Sequence, residues 1–216
     1  MKRGLLDELQ AARAARRSVA VVTELASGAQ QLVARGEDPA LDEAFRFDQS
    51  GVRDGHFIHI HNPPLRLIII GAVHIAQAVI PLAQAANYDL TVIDPRGAFA
   101  TGARFPGIAL YVEWPDEVLA KTGLDARTAM IALTHDPKID DPALDAALAS
   151  DVFYIGALGS KKTHAARCER LSARGFSAGQ IARIAGPIGL DIGAKGAAEI
   201  AISILAQMTR ALRLGH

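Results

Sequence analysis

Apolar and polar positions divide the chain into two textures that meet near residue 64. Upstream, the pattern is short and alternating. Residues 5–17 have the Ala- and Leu-rich spacing of a helix. SVAVVTEL (18–25) and QQLVARG (30–36) read as strands, with Ser27 and Gly28 as a hairpin turn between them. After a polar region rich in Asp and Glu, HFIHIHNPP (56–64) sets Phe57, His59 and His61 against Ile58 and Ile60. That period of two marks a strand ending at paired prolines. Asn62-Pro63-Pro64 is a natural boundary, so residues 1–64 are expected to form a small, mainly β unit.

Downstream, over 65–216, buried strands alternate with helices. LRLIIIG (65–71) is an unbroken apolar run, as in a strand covered on both faces. A helix over 74–87 follows, then DLTVIDPR (89–96), a loop over 97–107, the short strand ALYVEW (109–114) and a helix from Asp116. RTAMIALTHD (127–136) is the next buried strand. DDPALDAALAS (140–150) reads as a helix with Asp140 or Asp141 near its start and Pro142 early in it. DVFYIGALGS (151–160) is strand then glycine turn, KKTHAARCERLSARG (161–175) a helix ended by Gly175, and GPIGLDIGAKG (186–196) a loop before a last helix over 197–213. This alternation predicts an α/β fold: a Rossmann-like parallel sheet with helices on both faces.

Composition narrows the function classes. The 23 basic and 23 acidic residues cancel, so there is no electrostatic footprint for nucleic acid or anionic lipid. No stretch approaches the roughly 18–20 apolar residues of a membrane helix. The charged N-terminus lacks the apolar core of a signal peptide. Cys168 is the only cysteine, which excludes an internal disulfide and a CxxC metal site and fits a reducing cytoplasm. These features predict a soluble cytoplasmic protein that binds neither nucleic acid nor membrane.

Ligands of open parallel sheets bind beyond the carboxyl ends of the strands, and every such end here is polar or glycine-rich. The first carries Gly71, Ala72, Val73 and His74; the second Asp94 and Arg96; the later ones Thr134, His135 and Asp136, then Gly156, Gly159, Ser160, Lys161 and Lys162. At the first turn, glycine permits the bend and the helix N-terminus offers free N–H groups to a phosphate. Val73 stands where a dinucleotide fingerprint has its second glycine, and a branched residue resists positive φ there. Asp94, 23 residues after Gly71, is spaced to accept a ribose hydroxyl and Arg96 to meet a phosphate; a helix-capping Asp94 is the other reading.

GALGSKK carries more weight. Two lysines in the first turn of a helix oppose its dipole unless an anion compensates, so they favour a phosphate over a merely solvated pair. His135 and Asp136 fit an acid–base pair or a polar ligand contact, or else a cap with a packed histidine. Gly189, Asp191 and Gly193 suggest close backbone approach to a ligand or another strand end, with Asp191 equally a turn former. His59 and His61 share a strand face, but no further metal ligand accompanies them. Cys168, between Arg167 and Glu169, reads as a half-buried helical cysteine, with basic neighbours that could activate it.

Taken in order, THDPKIDDPAL, YIGALGSKKTHAAR and GPIGLDIGAKGAAEIAISILAQM resemble the XdhC/CoxI family, accessory proteins of molybdenum hydroxylases such as xanthine dehydrogenase. The resemblance covers about residues 60–210. It implies a Rossmann-like domain and a chaperone without turnover, which binds molybdenum cofactor (molybdopterin or its cytidine dinucleotide) during sulfuration by a cysteine desulfurase. The cofactor then passes to the apo-hydroxylase. The resemblance carries the site to Gly71, Ala72, His74, Asp94, His135, Asp136, Gly156 to Lys162, and Pro187 to Gly193. Two departures stand out. The family's G-A-G-H turn is G-A-V-H here, and residues 1–64 lack the cysteine of the family's GGC-type N-terminal segment, so a separate CoxI-type partner would supply that domain. A homodimer is the default expectation. The alternatives are an NAD(P)-dependent oxidoreductase using Gly71, Asp94 and Arg96, disfavoured by Val73, and a docking scaffold without a ligand.

Overall fold

The computed structural model describes residues 2–215, and the chain divides into two compact units, 1–63 and 64–216. The first unit is a four-stranded antiparallel sheet. Strands β1 (Val19–Glu24), β2 (Gln30–Ala34), β3 (Gly51–Arg53) and β4 (His56–His61) lie in the order β2-β1-β4-β3. Helix α1 (Arg3–Ala14) puts Leu9 and Ala12 against Val19 and Val21, on one face of β1. Ala20, Val22 and Ile58 face the other way, onto Phe45 of α2 (Asp42–Phe47). That helix and the 3-10 turn before it (Pro39–Leu41) fill the stretch whose polarity hid them. Only Leu41, Ala44 and Phe45 are buried there, too few to reveal a period.

The second unit is a six-stranded, wholly parallel sheet with helices on both faces, the predicted Rossmann-like architecture. Its strands are β5 (Arg66–Ile70), β6 (Asp89–Ile93), β7 (Ala109–Tyr111), β8 (Thr128–Ala132), β9 (Tyr154–Ala157) and β10 (Ile184–Ala185). They lie in the order β10-β9-β8-β5-β6-β7. The apolar run of β5 alternates between two cores. Leu67 and Ile69 pack with α3 (His74–Ala85) and α8 (Ala197–Leu214). Ile68 and Ile70 pack with α4 (Pro115–Thr122), α5 (Pro137–Leu148) and α6 (Lys161–Ala173). The central strands β5, β8 and β9 are therefore apolar on both faces.

One helix boundary shifts from the sequence reading, and two short elements are added to it. Helix α5 starts at Pro137, capped by Asp136, three residues before the expected start. Asp140 and Asp141 thus lie inside it, buried, and Pro142 sits mid-helix. The short α7 (Ala178–Ile181) and two-residue β10 carry too little periodicity to be read from sequence.

Candidate functional site

Strand β5 leads to β6 on one side and borders β8 on the other, so the switch of direction falls between the carboxyl ends of β5 and β8. Gly71 and Thr134 stand at those ends. Gly71 has φ +109°, and a Cβ there would lie 2.7 Å from Thr134 Cγ2. Both backbone and neighbour demand glycine. Val73 needs no such freedom. It caps α3 in an extended conformation, φ −98° and ψ 173°, half-buried against the core. The expected conflict between valine and positive φ therefore does not arise. His74, exposed, opens the helix.

Asp94 is fully buried and its carboxylate is occupied. Oδ2 accepts from the Ala72 amide at 2.8 Å and from Arg96 Nη2 at 2.8 Å; Oδ1 accepts from Arg96 N at 3.0 Å and Nε at 2.9 Å. Burial alone would raise its pKa, but these donors outweigh it and hold the carboxyl below its usual range. Four donors fill the acceptor capacity of a carboxylate, so a ribose hydroxyl would have to displace one of them. Arg96 itself lies over Phe99, 4.7 Å from the ring centroid. Arg104 completes the clamp, donating to Ala72 O at 2.8 Å and Phe99 O at 2.7 Å. Nothing in the spacing of loop 97–107 marked Arg104 in advance.

At the end of β8, Asp136 accepts from Lys138 N at 3.0 Å, which is a helix cap. Asp140 reaches back from the first turn of α5. It accepts from Thr134 Oγ1 at 2.7 Å and from the amides of Thr134 (3.3 Å) and His135 (3.1 Å). Burial raises the Asp140 carboxyl above its ordinary value despite these donors and nearby Arg167. His135 is held with φ +63° and an exposed ring, and its Nδ1 would be 3.7 Å from a Cβ on Gly159.

The last strand ends build a cleft of about 390 Å³, lined by Leu158, Lys161, the loop from Pro187 to Ala194, Ile200 and Ser203. Within it Lys161, Gly189, Asp191 and Gly193 come together; the Gly71–Thr134 and Asp94–Arg96 groups stand further along the same sheet edge. Ser160 caps α6 by accepting from Thr163 N at 3.2 Å. Lys161 and Lys162 are its first two residues. Both are exposed and have no side-chain partner among the described residues. Their own amides have no acceptor within the helix.

Packing dictates two of the glycines here. A Cβ on Gly156 would lie 2.5 Å from Ile188 Cδ1, and the nearest approach of Gly189, φ +93°, is to Ser203 of α8. Gly189 N and the Tyr154 hydroxyl both donate to Gln207 Oε1, at 2.8 and 2.6 Å, which ties the cleft floor to β9 and α8. Gly193 borders open space. Asp191, exposed, makes no polar contact among the described residues.

No group of three or more metal-ligating side chains occurs among the described residues, and no helix there is long and apolar enough to cross a membrane. The XdhC Rossmann domain family model matches residues 67–208. The chain is 34% identical over 146 residues to the molybdenum cofactor insertion chaperone PaoD of Escherichia coli, covering 68% of this chain and 40% of that protein. It is 30% identical over 163 residues to a probable xanthine dehydrogenase subunit of Bacillus subtilis, covering 75% of this chain and 46% of that one. A crystal structure described as a xanthine dehydrogenase from Bacillus halodurans superposes with TM-score 0.68 and 26% identity, over 99% of this chain and 65% of that chain. The chain spans less than half the length of these two sequence relatives.

Proposed function

Because the chain belongs to the XdhC family, with that family's Rossmann domain over residues 67–208, we propose that it is an accessory protein of a molybdenum hydroxylase. It binds molybdenum cofactor and delivers it, without turnover of its own. The name of its relative PaoD supports cofactor insertion as the task. Sulfuration of the held cofactor by a cysteine desulfurase, a CoxI-type partner, action as a homodimer and a cytoplasmic setting belong to the same proposal.

The observation that carries the reading is the cleft of about 390 Å³ with Lys161 at its edge. Its volume lies within the usual range for small-molecule sites. The chemistry of its wall fits a phosphorylated pterin. Ile188, Leu190, Ile192 and Ile200 offer an apolar surface to a ring system. Lys161, Lys162 and the unbonded amides of the first turn of α6 suit a phosphate. When bound, the cofactor supplies the molybdenum; the protein holds the pterin and limits its contact with water.

The oxidoreductase alternative would use Asp94 to hold a ribose. That carboxylate is filled by Ala72 and Arg96, so Asp94 counts against a nicotinamide dinucleotide more than Val73 does. Titrating the purified protein with molybdopterin, its cytidine dinucleotide, NAD and NADP tests the choice. Binding of either molybdenum form with thermal stabilisation is expected, by about 2.7 kcal/mol at a hundredfold excess over Kd. Binding of the nicotinamide cofactors alone would overturn the reading.

A further inference from the structure

Helix α6 carries chemistry that the cofactor cleft does not use. Lys161, His164 and Cys168 fall at i, i+3 and i+7, on one stripe of the helix. Lys161 lines the cofactor cleft, while His164 and Cys168 line a separate open groove of about 770 Å³ between α6 and α7. The loop 186–187 divides the two. The His164 ring packs so tightly on Gly186 that a Cβ there would lie 2.1 Å from Nδ1, and the next residue, Pro187, already lines the cleft. At 1.5 Å of rise per residue, Cys168 sits roughly 10 Å along the helix from Lys161.

The cysteine is not isolated. His164 Nε2 lies 3.5 Å from Cys168 Sγ, and His164 Nδ1 lies 3.5 Å from Arg167 Nη1. An arginine can only donate, so Nδ1 is the acceptor and the remaining ring proton, on Nε2, faces the sulfur. Burial first, and then Arg167, lower the pKa of His164, which keeps this neutral tautomer at neutral pH. Arg167 is a second and independent oddity. It is only 2% exposed, its Nη2 donates to Leu158 O at 2.8 Å, and its Nε has no partner among the described residues. A buried guanidinium with an unmet donor is costly unless an anionic group nearby repays it. The Asp140 and Asp141 carboxylates of α5 face it and offset part of that cost, while burial still lowers its pKa.

We propose that Cys168 is a sulfur-accepting thiol, loaded from a persulfide donor in the groove and held beside the cofactor cleft. This rests on the cofactor reading above and assigns this chain its own part in sulfuration. Sγ attacks the outer sulfur of a donor R–S–SH and the donor's S–S bond breaks. R–S leaves with the proton that Sγ gave up, so Cys168–SH and R–S–SH become Cys168–S–SH and R–SH, with no external oxidant or reductant. The His164 Nε2–H supports the sulfur as it loses its proton, and Arg167 fixes the ring for that role. His164 and Arg167 are positioning residues.

The test uses the full chain and glutathione persulfide, with intact mass read over time. Cys168 is the only cysteine, so a gain of one sulfur atom reports this site alone. Native protein should load about tenfold or more faster than the same chain unfolded in urea. His164→Leu should lose that advantage and His164→Gln, which keeps a donor, should recover part of it. A native rate no faster than the unfolded one overturns the proposal, as does full-speed loading of His164→Leu that still melts cooperatively. Cys168→Ser should bind the phosphorylated pterin as the wild type does. Failed pterin binding by both proteins would sink the cofactor reading, whereas failed loading with intact pterin binding would sink this one alone.

Discussion

The Asp94 carboxylate accepts the Ala72 backbone amide at 2.8 Å, closing the glycine turn at β5 onto the end of β6. A residue spaced to hold a ligand instead holds the loop on which a ligand would sit. Asp94→Asn should cost about 2 kcal/mol, since it loses charge-assisted bonds to Arg96 and leaves an amide in a buried acceptor site. Its pH dependence has a fixed sign. The folded pKa is depressed, so the stabilisation is present above the unfolded value of about 3.9 and is lost as pH falls through the lower folded value. Melting curves of wild type and Asp94→Asn should therefore converge in acid; a constant gap down to the lowest pH would contradict this.

Lys161→Ala combined with Lys162→Ala should weaken binding of a phosphorylated pterin about tenfold or more, because charge-assisted contacts to phosphate are lost. The same pair should leave the melting temperature of the free protein unchanged or higher, as both charges oppose the α6 dipole. Calorimetric titration beside thermal unfolding separates the effects. Unaltered affinity would remove the phosphate site.

Gly189→Ala should destabilise by about 2–4 kcal/mol, because a Cβ would lie 2.2 Å from Ser203 Oγ on a backbone with φ +93°. Gly193→Ala, with φ +77° and open space around it, should cost only about 1 kcal/mol, the left-handed conformation alone. Urea midpoints of the two variants make the comparison. Equal losses would mean that the contact with α8 is not what requires Gly189.

His135→Gly should leave stability unchanged or raise it by about 1 kcal/mol, since it relieves a left-handed non-glycine residue and removes an exposed ring. If the ring contacts a bound ligand, the same variant should bind more weakly. A stable variant with full affinity would leave His135 as a turn residue held by Asp140.

Much of the second unit was legible because its local signals are strong. An unbroken run such as LRLIIIG is stable only with both faces covered, which dictates a parallel sheet, and it must end where the chain returns to water. For that reason the polar and glycine-rich ends are legible in the sequence, and they line one edge of the sheet. What each end does was decided by neighbours brought in from a distance. Asp94 meets Ala72, Gly156 meets Ile188 and Gly189 meets Ser203. Asp140, in the first turn of α5 as expected, also ties the turn at Thr134 and His135. Arg167 is one more charged residue on a helix in the sequence; only the packing of α6 beneath the loop at Leu158 buries it and aims His164 at Cys168. Periodicity is written in each segment by the water it avoids. Partners depend on strand order and helix rotation, which no single segment encodes.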